Sequence, residues 1–270
     1  LLLLLLLSIS LFFAEAKRSW TKQVTIDSSG CGKTKWCLMR PRGCSPMRDC
    51  TQGYMLSVVG NNQLKVEMFA LSLVPAVPLQ YLAIGYSKDR LMGDDMVAEC
   101  VVSETGIDGG GEVFLSYNRG RSNDRIHFDD LEAEVVFSDI HSSAIDGRIT
   151  CSFIQSLRPQ LDSSHGGRIR DLDQNYFIFG ATGSAQPDEV NPHDLNRESF
   201  YFPLTSDALV NPSLIGNHSF THPSSTIIGL QGARPALITP TTRRPTIFHS
   251  VSSSPLLLSL HTLLLSFLFL

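Results

Sequence analysis

Between Tyr54 and Phe179 the chain falls into a succession of short β-rich runs, at 54–59, 64–72, 79–86, 96–103, 112–117, 131–138, 147–155 and 174–180. Several alternate strictly: Leu64, Val66, Met68 and Ala70 oppose Lys65, Glu67 and Phe69, and Glu132 and Glu134 oppose Ala133 and Val135. Period two sends successive side chains to opposite faces of a sheet, so each run reads as a strand with one face to a core. Turn signals separate them, among them Gly60-Asn61-Asn62, Asp108-Gly109-Gly110-Gly111 and Asp146-Gly147. No stretch of the region sustains a long, capped helical period. The pattern predicts an all-β chain, an antiparallel β-sandwich of immunoglobulin-like architecture.

The six cysteines, Cys31, Cys37, Cys44, Cys50, Cys100 and Cys151, make an even set. They follow an apolar leader over residues 1–16, a leucine run ending in Ala14-Glu15-Ala16 before Lys17-Arg18, which reads as a signal peptide with a small-x-small cleavage pattern. An oxidising compartment makes all six disulfide candidates. Four fall in a loop-rich N-terminal segment that ends at Cys50; five, six and five residues separate them, without the Cys-x-x-Cys knuckle of zinc ribbons, so disulfides are preferred to zinc. Cys100 and Cys151 sit in strands, where a bridge between neighbouring strands or pairing with the N-terminal cluster would serve.

Beyond residue 205 the composition turns to Ser, Thr and Pro, which predicts a disordered stalk over 206–254, of a composition that accepts O-glycosylation. Asn217-His218-Ser219 is an N-glycosylation sequon, placing Asn217 on an exposed linker. Residues 255–270 are apolar with small residues just upstream, the pattern of a glycosylphosphatidylinositol-anchor signal; a single-pass membrane tail is the alternative. The tail is shorter than the ~20 residues of a bilayer span, which favours the lipid anchor. The expected location is the cell surface. A net charge of −4 offers no broad basic field, so nucleic acid is not an expected partner.

Within the sandwich one run stands apart, from Ile84 to Val97: a buried strand breaks into a polar turn that carries Met92, then returns to a strand. A thioether on such a turn suits an axial position on haem iron, where a soft neutral ligand raises the reduction potential. Met96 competes, although its place in Asp95-Met96-Val97-Ala98 suggests a side chain within a strand. Nothing matches a Gly-x-Ser-x-Gly elbow, a phosphate-binding loop, a His-Glu-x-x-His pair or a dinucleotide fingerprint. The carboxylate pairs Asp94-Asp95 and Asp129-Asp130 lack the spaced oxygen ligands of a calcium loop.

Cys31 to Cys37, the strand Leu82-Ala83-Ile84-Gly85-Tyr86-Ser87, Met92-Gly93-Asp94-Asp95 and the strand Asn175-Tyr176-Phe177-Ile178-Phe179-Gly180 together resemble a DOMON domain, of the kind found in ferric-chelate reductase 1-like proteins. The resemblance covers residues 29–205. It implies a β-sandwich that holds haem b between a methionine and a histidine, at positions matched by Met92 and by His193 in Val190-Asn191-Pro192-His193-Asp194. It also implies an electron-transfer cytochrome domain rather than a complete reductase, working with a redox partner protein or a small-molecule electron carrier. Other members of the family are haem-free modules that bind protein or carbohydrate, and that is the alternative function.

Tyr81, Tyr86, Phe114, Tyr117, Tyr176, Phe177 and Phe179 are candidates to line a haem slot, with Arg119 and Arg121 to neutralise a propionate. His127, His141 and His165 read as surface residues; His218, His222 and His249 fall in the stalk and His261 in the tail.

Overall fold

The computed structural model describes residues 24–103, 111–161 and 165–216. The leader, the sequon at Asn217, most of the stalk and the apolar tail lie outside the described residues. Among the described residues no helix is long and apolar enough to cross a membrane.

Two antiparallel sheets face each other. In the first, β1 (Trp36–Arg40), β2 (Gln52–Gly60), β3 (Gln63–Leu71), β9 (Arg148–Ser156) and β8 (Phe137–Ile145) lie in that order. In the second the order is β11 (Leu204–Thr205), β10 (Phe177–Ser184), β4 (Leu79–Ser87), β5 (Asp95–Ser103), β6 (Glu112–Arg119) and β7 (Ser122–Arg125). The all-β sandwich expected from the alternating runs is the fold observed.

The alternation decides which side chains meet. Tyr54, Leu56, Leu64, Val66, Met68 and Phe153 project from the first sheet onto Leu82, Ile84, Tyr86, Met96, Ala98 and Leu115 of the second, forming one buried core. Full burial of a large apolar side chain contributes about 1.5–3 kcal/mol, so this face supplies most of the driving force. Gly180 is part of the fit: a Cβ there would lie 2.2 Å from the Tyr54 ring.

Cys100 on β5 and Cys151 on β9 form a disulfide that joins the facing sheets, not neighbouring strands of one sheet, because both point into the core. The other bridges are Cys31–Cys37 and Cys44–Cys50. They staple the N-terminal segment, which contains β1 and lays Ile26, Cys44 and Cys50 on Met55 and Phe69 of the first sheet's outer face.

Three local features differ from the sequence reading. Residues expected as a strand over 131–138 begin as a helix, α1 (Asp130–Val136), because Asp129 accepts from the Glu132 amide while the Glu132 side chain caps the Asp129 amide. This reciprocal capping box outweighs an alternation that only four residues carry. The short edge strands β1, β7 and β11 have too few residues to show a period. The folded region also runs past residue 205, since Val210 pairs with Tyr176 and Ile215 is buried, both against the core.

The loop closed by Cys100–Cys151 spans 51 residues and that of Cys44–Cys50 only 6. Replacing the first pair by alanine is expected to lower unfolding stability by about 4 kcal/mol and the second by about 2 kcal/mol in a denaturant titration. Equal losses would show that loop closure does not set the contribution.

Candidate functional site

The outer face of the second sheet holds the site. Strand register aligns Phe179, Gly85 and Val97 in one row across β10, β4 and β5, and Ala181, Ala83 and Glu99 in the next. These six residues floor a cleft of about 460 Å³, within the range of about 300–1,000 Å³ usual for small-molecule and cofactor sites. Small side chains at Ala83, Gly85 and Ala181 create the depth. A Cβ on Gly85 would stand 3.3 Å from the Phe179 Cβ and 3.7 Å from the Val97 Cγ2, taking up the floor.

Met92 enters the cleft from the turn between β4 and β5. The turn is built from short-range hydrogen bonds: the Leu91 amide donates to Asp89 Oδ1 at 2.7 Å, and the Gly93 amide donates to Asp95 Oδ2 at 2.7 Å. Asn118 adds a second donor to the same Asp95 oxygen at 3.1 Å, and its carbonyl accepts from the Asp94 amide at 2.8 Å. Gly93 has φ +134° and lies against the Gly120 backbone, and Asp94 has φ +58°. Asp94 is anchored by the Tyr117 hydroxyl and by Arg170, whose guanidinium stands 3.2 Å from Oδ2. The hydrogen bond from Tyr117 is the main reason its carboxyl stays below the usual carboxylate range.

His193 enters from the loop that follows β10. That loop folds back on its own strand: Ala185 bridges Val190, and Asn191 donates through its amide to the Ser184 carbonyl at 3.0 Å and through Nδ2 to Ser184 Oγ at 2.9 Å. His193 Nδ1 lies 3.1 Å from the Asp194 carbonyl oxygen. A carbonyl only accepts, so Nδ1 carries the proton and the neutral ring's Nε2 keeps its lone pair free for a Lewis acid. The orienting acceptor is the backbone of the adjacent residue. The Asp194 carboxyl is held below its ordinary range, chiefly by the Ser199 hydroxyl.

Charge gathers at the cleft's margins. Arg90 and Arg121 line it, with Glu189 and Asp124. Glu99 is fully buried on the floor and pairs with Arg125 at 3.2 Å. The Tyr81 phenol, also lining the cleft, is pushed well above its ordinary pKa by burial first and by Glu99 second.

No family model matches the chain. Curated proteins do. Ferric-chelate reductase 1 of Bos taurus is 26% identical over 170 residues, 63% of this chain and 25% of that protein. A Danio rerio protein provisionally given the same name is 31% identical over 191 residues, 69% of this chain and 29% of that protein. The chain is similar to ferric-chelate reductase 1. It spans under a third of the length of these relatives, and the likeness agrees with the DOMON resemblance carried by the Met92 and Phe179 motifs. Among solved structures, the cytochrome domain of Myriococcum thermophilum cellobiose dehydrogenase aligns with a TM-score of 0.41 at 12% identity, over 66% of this chain and 82% of that domain.

Of the residues singled out in the sequence, Met92, His193, Tyr81, Phe179 and Arg121 come together at the cleft. Met96 does not. It is 1% exposed in the inter-sheet core, where its sulfur accepts from the Arg170 amide at 3.2 Å. Tyr86 and Tyr176 meet edge-on in that same core, 6.1 Å between ring centroids. Phe114 lies under Arg125, Phe177 under Arg90, and Tyr117 binds Asp94. Arg119 faces Asp124 at 3.8 Å on the surface. His165 is not a surface residue: it is mostly buried, edge-on to Phe128 and 2.9 Å from Glu132. His141 is exposed beside Asp139. Sequence reasoning missed Arg90, Glu99 and Arg125, whose charges gave them the look of ordinary solvent-facing positions.

The Met92 turn depends on Gly93. Alanine there is expected to cost about 1–3 kcal/mol in a urea titration, since an L side chain would sit in a sparsely populated backbone region and close on Gly120. Alanine at Gly120, where φ is +62° and the Cβ position is open, should cost only about 1 kcal/mol. Equal costs would show that the Gly93–Gly120 approach does not constrain the turn.

Proposed function

We propose that the outer cleft binds haem b between Met92 and His193, and that the domain transfers single electrons at the cell surface. The observation that carries this reading is the presence of one thioether and one imidazole in the same cleft. The donor set fits the group: a soft sulfur and a neutral nitrogen are preferred axial ligands, and together they favour the reduced state. The floor fits as well, because Ala83, Gly85 and Ala181 leave a flat space beside Phe179 and Val97. Arg90 and Arg121 supply cationic groups for carboxylates at the cleft's margin.

When bound, haem would supply a one-electron couple; the chain's residues hold it and tune its potential. With Met92 and His193 both holding it, the group would supply electron transfer alone, and the chain would offer no site for a substrate at the metal. The ferric-chelate reductase names of the relatives support a redox role. A partner protein or small electron carrier would dock at the open side of the cleft, beside the Met92 turn, whose Leu91 is 73% exposed. Attachment through a lipid anchor at the C-terminal tail would keep the domain at the membrane surface.

A second reading, a haem-free module for protein or carbohydrate, draws support from an open polar cleft of about 690 Å³ lined by Tyr117, Tyr176, Gln174, Asn175 and Asp171.

The deciding experiment is the absorption spectrum of the secreted protein supplied with haem, oxidised and then reduced. A Soret band with split α and β bands on reduction is the expected result; a folded, colourless protein would leave the binding-module reading. Met92→Leu should lower the midpoint potential by on the order of 100 mV and change the reduced spectrum. Met96→Leu should leave both in place. The reverse pattern would move the ligand to Met96.

A further inference from the structure

We infer that Arg125, held by Glu99, is the positioning residue that fixes the His193 loop over the cleft. This rests on the proposed role of His193, but the clamp itself is a property of the chain alone. Arg125 belongs to β7, the edge strand farthest from β10. Its side chain runs across the sheet's outer face, over the Phe114 ring at 3.8 Å, and donates from Nε to Glu99 Oε2 at 3.2 Å. It then donates from Nη1 to the Pro187 carbonyl at 2.7 Å. Pro187 lies in the loop that leads to His193. One guanidinium therefore ties the outer edge of the sheet, its centre and the His193 loop to one another.

The pair is built rather than incidental. The Glu99 side chain is fully buried and that of Arg125 is 8% exposed, and a charge so placed is retained only with a partner. The planar fork matters, because its two donors point in different directions at fixed angles; a lysine ammonium can satisfy Glu99 or Pro187 but does not hold both in one geometry. On the inner side β5 is fixed at the very next residue by the Cys100–Cys151 bridge, so Glu99 is a rigid post. Beyond Pro187 the loop continues through the Gln186 amide bond to Glu189 and the Asn191 bonds to Ser184. Pro187 lies between Gln186 and Glu189, at the tip of the turn that these bonds close.

The test is amide hydrogen exchange of the haem-free, full-length protein, comparing wild type with Arg125→Lys and with the double variant Glu99→Gln/Arg125→Met. The double variant removes both charges and so avoids a stranded carboxylate if the single variant fails to fold. In each folded variant the amides of Gln186 and Asn191 should exchange about tenfold faster or more, while those of β9 keep their wild-type rates. Unchanged exchange at Gln186 and Asn191 would overturn the clamp. Exchange accelerated equally throughout β9 would also overturn it, since Arg125 would then merely stabilise the fold. With haem supplied, the same variants should lose part of the low-spin signal, and added imidazole should restore it; a full low-spin signal in the variants would overturn the link to His193. A wild-type protein that takes up no haem would defeat the proposed function and leave the exchange result to decide the clamp.

Discussion

The Cys100–Cys151 bridge fixes the relation on which the site depends, the register of β5 between the two sheets. Strand parity then follows without further choice. Met96, Ala98, Cys100 and Val102 point into the core, so Val97, Glu99 and Val101 must point outward. A one-residue slip would exchange the two sets, burying Glu99 between the sheets and turning Met96 toward the cleft. The cross-link, buried among Leu82, Met68 and Phe153, makes that slip inaccessible. It thereby separates a structural methionine from one free to serve as a ligand, although only three residues lie between them.

How much of this could be read from sequence depends on how each feature is encoded. The long strands were legible because each carries several residues of one period, as Leu64, Val66, Met68 and Ala70 do on β3. The helix after Asp129 was not, because its signal is a pair of reciprocal hydrogen bonds and not a period. His193 was found through the resemblance, whereas Met92 stood out from the residues as a thioether on a turn between strands, and the strand position that set Met96 below it is the one that buries Met96 in the core. Glu99 and Arg125 were illegible for a different reason. A glutamate that alternates with Ala98 and Cys100 looks like the solvated face of a half-buried strand, and only the tertiary structure reveals that Arg125, itself bound to the loop after β10, covers it. The acceptor for His193 was hidden because it is a backbone carbonyl, which every residue possesses.

The two sides of the cleft are held in contrasting ways. The Met92 turn is rigid through its own backbone: positive φ at Gly93 and Asp94, and a buried Asp95 that gathers the Gly93 amide and the Asn118 side chain. Asn118, Tyr117 and Arg170 hold it from other parts of the chain through Asp94 and Asp95. The His193 loop instead folds back on β10 through backbone pairing, the Ala185–Val190 bridge and the bonds of Gln186 to Glu189 and of Asn191 to Ser184, and is tied across the sheet by Arg125. Downstream, Arg40 and Gln52 of the first sheet bind the carbonyls of Ser199, Phe200 and Phe202.

A sandwich has four faces, and this one has a separate use for each. The two inner faces make the core. The outer face of the first sheet is covered by the N-terminal segment, where Cys44 and Cys50 lie on Met55 and Phe69. That leaves the outer face of the second sheet, and there Ala83, Gly85 and Ala181 are too small to fill it. Strands with such residues can floor a planar group but cannot reach it with ligating atoms, because their side chains are what was removed to make the space. Ligands must therefore come from loops at the cleft's margin, and loops must be stiffened to hold a metal in one geometry. The positive φ at Asp94 and the buried charge of Glu99 are the costs of that requirement. Both are unfavourable in isolation, and the stability that offsets them comes from the apolar core on the opposite side of the same strands.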